Sequence, residues 1–180
     1  MRRHDPGTSA SWPVRQAGAA SSQDVVPGAI PVLAELGLSP TIARDRWSDL
    51  SAEDRRSLVR LRGYDTAELD PAPSTEHLWL PDRTGPAAYA RLVRADGGEA
   101  RVDHMCADEE LRHLGLTSVL LADVVARHGA GPLVVHAPAD VVPYLLRGGF
   151  TIVHDPGTGA PVPSEPGTTV LRRAPEAPWR

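Results

Sequence analysis

Residues 111–121, LRHLGLTSVLL, set an arginine, a glycine and two hydroxyl side chains (Arg112, Gly115, Thr117 and Ser118) at the start of what reads as a long amphipathic helix. A glycine inside a helical pattern costs about 1 kcal/mol relative to alanine, so it marks a place where a ligand approaches the backbone or a neighbouring element packs on it. The stretch before it, ARVDHMCAD, reads as a strand ending in an acidic turn. Gly115 therefore stands at a strand-to-helix junction, and the free amides of a helix N-terminus form an anion site. The chemistry that suits this spacing is capture of a phosphate-bearing ligand. The single cysteine, Cys106, forms no internal disulfide, and no Cys/His spacing matches a zinc site. A reducing cytoplasm and the absence of a metal are the expectations.

The charge balance narrows the partners. A net charge of -4 argues against general attraction to nucleic acid. The local cluster Arg55, Arg56, Arg60 and Arg62 is expected to be a solvated helix face. All 19 Lys-plus-Arg residues are arginine, which excludes self-acylation on a lysine and suggests a GC-rich bacterial gene. MRRH is followed by Asp5, Pro6 and a polar run rather than an apolar signal segment, and no stretch approaches membrane-spanning length, so no membrane partner is expected.

The elements that must position the junction follow from the apolar pattern. Residues 1–26 have the Gly/Ser/Ala/Pro composition of a flexible tail, and 27–40 read as a short helix or linker. The ordered domain is expected over 41–174, with 175–180 a C-terminal tail. TIARDRWSDL reads as a first strand. SAEDRRSLVRLR reads as a helix capped by Ser51, with Leu58, Leu61 and Val59 on its buried face. EHLWL, AAYARLVRA and RVDHMCA, joined by PDRTGP and DGGEA, form an antiparallel meander. The helix after Gly115 buries Leu116, Val119, Leu120, Val124 and Val125 and stops at Gly129. PLVVHA is a central strand, ADVVPYLLRGG a helix interrupted by Pro143, FTIVHD a strand and TTVLRRA the last strand. Helices inserted into a strand-rich order give a mixed α/β (α+β) domain.

With this order in place, Arg112-His113-Leu114-Gly115-Leu116-Thr117-Ser118 resembles the phosphate-loop signature of the GNAT superfamily of acyl-CoA-dependent N-acyltransferases, Arg/Gln-x-x-Gly-x-Gly/Ala. Arg112 and Gly115 match it, and Thr117 replaces the last small residue. HAPADVVPYLLRGGF resembles the family's second landmark, an alanine-ended strand and a helix running into Gly-Phe, here Gly149 and Phe150. WSDLSAEDRRSLVRLR, EHLWL and AYARLVRADGG are similar to the ElaA branch, over about Trp47 to Phe150. Two acceptor-side pieces of that branch are missing: the apolar segment ending in Glu-Gln after the leucine-arginine helix, and the Gly-Ile-Pro-His stretch, replaced by PVPSEPGT.

The resemblance implies a GNAT-like single domain with a mixed, mostly antiparallel central sheet flanked by helices. It also implies acetyl-CoA or another acyl-CoA as co-substrate, lying in a splay between strands 102–107 and 132–137. Cys106 and Ala107 would then offer backbone groups to the pantetheine, and the amides of Leu114, Gly115, Leu116 and Thr117, helped by Arg112 and Ser118, would hold the pyrophosphate. The acceptor would be an amine of a small molecule or peptide, attacking directly in a ternary complex. GNAT enzymes commonly use a carboxylate acting through water as base and a tyrosine as acid. The tyrosine's place is taken by Leu145, with Tyr144 next to it as either a displaced acid or a core residue. Asp103, His104, His77 and Glu76 are base candidates, and strand alternation puts Asp103 and His104 on opposite faces. Arg91 either binds an acidic acceptor or pairs with Asp103, and Cys106 is either a reactive thiol or a small core residue. The alternative to an enzyme is a non-catalytic GNAT-fold CoA-binding sensor or interaction module. A homodimer is open.

Overall fold

The computed structural model describes residues 41–63, 71–83, 85–128, 130–162 and 167–175. The expected tail (1–26), the segment 27–40, the helix stop at Gly129 and residues 176–180 lie outside the described residues, as do 64–70 and 163–166 of the two proline-bearing loops.

Ser51 starts the first helix, α1 (Ala52–Arg62), as its side-chain chemistry dictates. Its Oγ accepts the Asp54 amide at 3.1 Å and donates to the Asp54 carboxylate at 2.6 Å. Gly63 ends the helix with a φ of 79°, in the left-handed region that glycine enters without a Cβ clash. Ser51→Ala is expected to lower the free energy of unfolding by about 1 kcal/mol in a urea titration. An unchanged midpoint and slope would show that the cap contributes nothing.

Among the described residues, seven strands form one sheet: β1 (Ala43–Asp45), β2 (Thr75–Pro81), β3 (Pro86–Arg94), β4 (Ala100–Ala107), β5 (Leu133–Pro138), β6 (Thr151–Ile152) and β7 (Thr168–Arg173). Their order is β1-β2-β3-β4-β5-β7-β6, and only β4 and β5 run parallel. The expected meander is β2-β3-β4. Helix α2 (Leu116–His128) makes the crossover from β4 to β5, and α3 (Val142–Arg147) follows β5.

Alternation along β2 and β3 divides the apolar side chains between the two faces of the sheet. Leu78, Leu80, Ala88, Ala90 and Leu92 join Leu116, Leu120, Leu121 and Val124 of α2 in the main core. Trp79 and Tyr89 lie with Trp47, Leu50 and Leu58 in a second cluster under α1. One buried acid, Asp123 of α2, takes Arg44 of β1 at 2.7 Å and Arg127 at 3.0 Å, tying the edge strand to the helix.

Several expected elements are shorter than the sequence pattern implies. The first strand ends at Asp45, because the amides of Asp49 and Leu50 fold back onto the Arg46 carbonyl at 3.0 and 3.3 Å. Pro143 does not interrupt a helix: it sits in the first turn of α3, where a missing N–H costs nothing, and the residues before it form a turn. FTIVHD contributes only Thr151–Ile152 to the sheet, plus an isolated bridge at His154. Arg62 leaves the solvated face of α1 and is 6% exposed, its guanidinium over the rings of Trp47 (5.2 Å) and Tyr89 (5.4 Å).

Candidate functional site

The sheet opens where the sequence places Asp103 and His104. Strands β4 and β5 pair only through Ala100↔Leu133, Arg101↔Val134 and Val102↔Val135. Beyond Val102, β4 continues to Ala107 along β3, while β5 continues to Pro138 along β7. A wedge therefore separates the two strands past that point. The cause is a β-bulge: Arg91 faces Asp103, but Tyr89 faces Cys106, so β4 carries one residue more than β3 across this step. His104 occupies the bulge with a φ of 51°, a strained conformation for a side chain other than glycine.

The bulge overturns the expected alternation. Asp103 and His104 do not point to opposite faces, since His104 Nε2 lies 3.8 Å from Asp103 Oδ1 and both side chains are almost wholly buried. The extra residue returns Cys106 to the face of Asp103, beside the second cluster. The cue in the sequence is the pair of polar residues between Val102 and Met105, both of which face the main core.

Asp103 is held by arginines. Arg91 donates through Nε to Oδ1 at 2.7 Å and through Nη2 to Oδ2 at 3.1 Å, and Arg101 Nε donates to Oδ2 at 3.1 Å. Of the two readings of Arg91, pairing with Asp103 is the one the structure contains. His77 is sealed at 0% exposure, its Nδ1 2.8 Å from Tyr89 Oη, so it does not reach an incoming amine. Glu76 accepts from Arg94 at 2.8 Å, opposite Leu92 and away from the wedge.

At the end of β4 the chain turns through a 3-10 helix, Glu109–Leu114, that the sequence pattern merges with α2. Asp108 caps it, accepting the Glu110 amide at 3.0 Å. Gly115 then takes φ 70°, ψ 23°, and α2 begins at Leu116. Gly115 is neither a mid-helix glycine nor a packing glycine, because a Cβ built there meets nothing within 4 Å. Its glycine requirement is the left-handed turn that redirects the backbone, leaving the first amides of α2 at an open junction. Leu116 is anchored at 0% exposure, Leu114 packs on the main core, Thr117 and Ser118 are half-buried and Arg112 is exposed. The Ser118 amide bonds the Gly115 carbonyl at 3.0 Å.

Burial pushes the Cys106 thiol up to about 12, against a downward pull from Arg62 and then Arg112. Its half-buried place beside the second cluster is that of a packing residue. Tyr144 packs on the main core from α3, where burial raises its phenol above the ordinary 10.0 and Arg147 pulls the other way. Leu145 is 0% exposed. An open cavity of about 440 Å³ lies beside the 3-10 helix, lined by Asp82, Asp108, Glu109 and Glu110 with Pro86, Ala87 and Leu111. Those four carboxylates repel a polyphosphate, which favours the Gly115 side of the turn for an anion. Among the described residues no group of His, Cys, Asp or Glu is arranged to hold a metal ion, and no helix is long and apolar enough to cross a membrane.

No model of a protein family matches the sequence, and no curated protein matches it. Solved structures do match the fold. Escherichia coli ElaA superposes with a TM-score of 0.60 at 16% identity, over 76% of this chain and 99% of that one. An acyl-CoA N-acyltransferase from Pseudomonas aeruginosa gives 0.59 at 23% identity, over 74% and 99%. The ribosomal-protein-S18-alanine N-acetyltransferase of Escherichia coli gives 0.55 at 14%, over 74% and 93%. The chain has the GNAT fold in a divergent form.

Proposed function

We propose that this chain is an acyl-CoA-dependent N-acyltransferase, with acetyl-CoA as the first co-substrate to test and an amine of a small molecule or peptide as acceptor. The observation that carries the reading is the conjunction of the β4/β5 wedge with the left-handed Gly115 turn at the start of α2. In this reading the pantetheine runs along the Cys106 and Ala107 backbone, and the pyrophosphate lies on the amides of Leu114 to Thr117, with Arg112 and the Thr117 or Ser118 hydroxyl beside it. The helix dipole and the first amides favour that charge.

Transfer joins the amine nitrogen to the thioester carbon and breaks the carbon–sulfur bond. One proton leaves the nitrogen and one goes to the departing thiolate. His104 is the better of the two β4 candidates for the first task, because both oxygens of Asp103 are occupied by guanidinium N–H groups. Tyr144, a phenol that is protonated in the neutral range and that burial raises further above 10.0, is the candidate for the second. If it acts as the acid, kcat falls only as pH rises above 10, the direction set by its raised value. Tyr144→Phe would then lower kcat wherever the parent's phenol is protonated, converge with the parent on the alkaline side and so remove that basic limb. A limb that persists in Tyr144→Phe assigns the acid elsewhere.

One observation favours the second reading, a coenzyme A binder without catalysis in a sensor or interaction role: the residue in the acid tyrosine's place, Leu145, is sealed in the core. Leu145→Tyr is therefore expected to cost about 1–3 kcal/mol in stability by overpacking rather than to restore an acid. A gain in kcat without loss of stability would overturn that expectation. Calorimetric titration with acetyl-CoA, run beside a free-thiol release assay against a panel of amines, separates the readings. Binding with turnover supports the enzyme, binding alone supports the sensor, and no binding refutes both.

A further inference from the structure

We infer that the buried Arg91–Asp103 pair is the register lock that holds the β4/β5 wedge open, so that both are positioning residues for the cleft rather than groups that touch substrate. The inference rests on the acyltransferase reading for what the wedge is used for, but not for the lock itself. Asp103 stands at the branch point: it is the last β4 residue paired before the bulge and the first beyond the last β4–β5 pair, Val102↔Val135. Its partner Arg91 is directly opposite on β3, and the pair is bidentate at 2.7 and 3.1 Å with side chains 5% and 3% exposed.

A buried ion pair is a poor source of stability, because desolvation offsets most of the attraction, and well-packed apolar side chains commonly do as well in its place. What a bidentate pair supplies is geometry, since the guanidinium fork donates to both carboxylate oxygens in one relative position only. Here that position fixes the β3–β4 register immediately before His104. With the register fixed at 91↔103 and Tyr89 opposite Cys106, the extra residue must be absorbed at the strained His104. Were β4 free to slide, the bulge could migrate or vanish, exchanging the faces of residues 104–107 and letting β4 keep pairing with β5. Arg101, two residues earlier on β4 and 44% exposed, donates to Asp103 Oδ2 at 3.1 Å; it orients the carboxylate but does not bridge the strands, so the register rests on Arg91.

The test is the double variant Arg91→Met/Asp103→Leu, which removes both charges together and leaves neither buried alone. Two readouts apply: amide hydrogen exchange across His104–Ala107, and the calorimetric Kd for acetyl-CoA. The expected result is a cooperatively folded protein in which exchange over these residues slows at least tenfold and the Kd rises at least tenfold. Should the double variant not fold, Arg91→Leu/Asp103→Val, a smaller apolar pair that also leaves no charge buried alone, carries the same two readouts with the same directions. Unchanged exchange in a folded variant overturns the inference. So does slowed exchange with a Kd within twofold of the parent, because the wedge would then not be what admits the ligand. A parent protein that binds no acetyl-CoA refutes the acyltransferase reading instead, and the exchange result then decides the lock by itself.

Discussion

Gly115→Glu is expected to weaken acetyl-CoA binding at least a hundredfold while leaving the protein folded. Two effects of the substitution separate cleanly. The first is conformational: at φ 70° any side chain with a Cβ is strained, by about 1–2 kcal/mol, and alanine and glutamate share this cost. There is room for either, since a Cβ at this position has no neighbour within 4 Å. The second effect is electrostatic and belongs to glutamate alone. A carboxylate beside the first amides of α2 interacts favourably with the helix dipole, so Gly115→Glu should be no less stable than Gly115→Ala. The same carboxylate stands where a pyrophosphate would lie, and it excludes that ligand by both occupancy and like charge. The signature is thus a reversal of order: glutamate equals or exceeds alanine in stability but falls far below it in affinity. Melting curves and calorimetry on the two variants read both quantities. If Gly115→Glu binds acetyl-CoA within threefold of Gly115→Ala, the phosphate is not at this turn.

Much of the architecture was legible because each element carries a local cause. Ser51 with Asp54 specifies a cap, alternation in EHLWL and AAYARLVRA specifies half-buried strands, and the DGGEA turn between strands specifies a hairpin. What escaped the pattern were events decided by tertiary contact. Strand alternation assumes one residue per pleat, so it could not place Asp103 and His104 on the same side of a bulge that depends on the opposing strand. The arginine row of α1 reads as solvated, and Arg56 and Arg60 are exposed, but Arg55 folds back onto the Leu50 carbonyl and Arg62 is buried. Only the aromatic rings of Trp47 and Tyr89, brought from elsewhere in the sequence, make a burial site for Arg62. A 3-10 turn and an α-helix have too similar a spacing over six residues for LRHLGL to reveal its left-handed break. The glycine was conspicuous in the sequence, but its reason, a backbone angle, was visible only in three dimensions.

Cys106 is expected to resist alkylation in the folded protein, and this bears on how acyl transfer would proceed. Burial is the largest influence on its thiol and raises it from 9.0 to about 12, with Arg62 and Arg112 only partly opposing. Thiolate is the nucleophile, so at pH 8 the reactive fraction drops from about one in ten to about one in ten thousand, and labelling by a maleimide or aromatic disulfide should slow about 10³-fold relative to the unfolded chain. The sign of the linked stability follows. Below pH 9 both folded and unfolded states carry a neutral thiol, and the group has no pH-dependent effect. Between pH 9 and 12 the unfolded chain releases the proton while the folded protein retains it, so stability declines as pH rises through that window. Cys106→Ala should flatten this part of the alkaline denaturation profile. A thiol kept protonated does not attack a thioester, so an acyl group beside β4 would pass to the amine without resting on Cys106, in keeping with direct attack in a ternary complex. Rapid labelling of the folded protein at pH 8, or acyl transfer from acetyl-CoA onto Cys106 detected by intact-mass measurement, would overturn this account and favour a covalent intermediate.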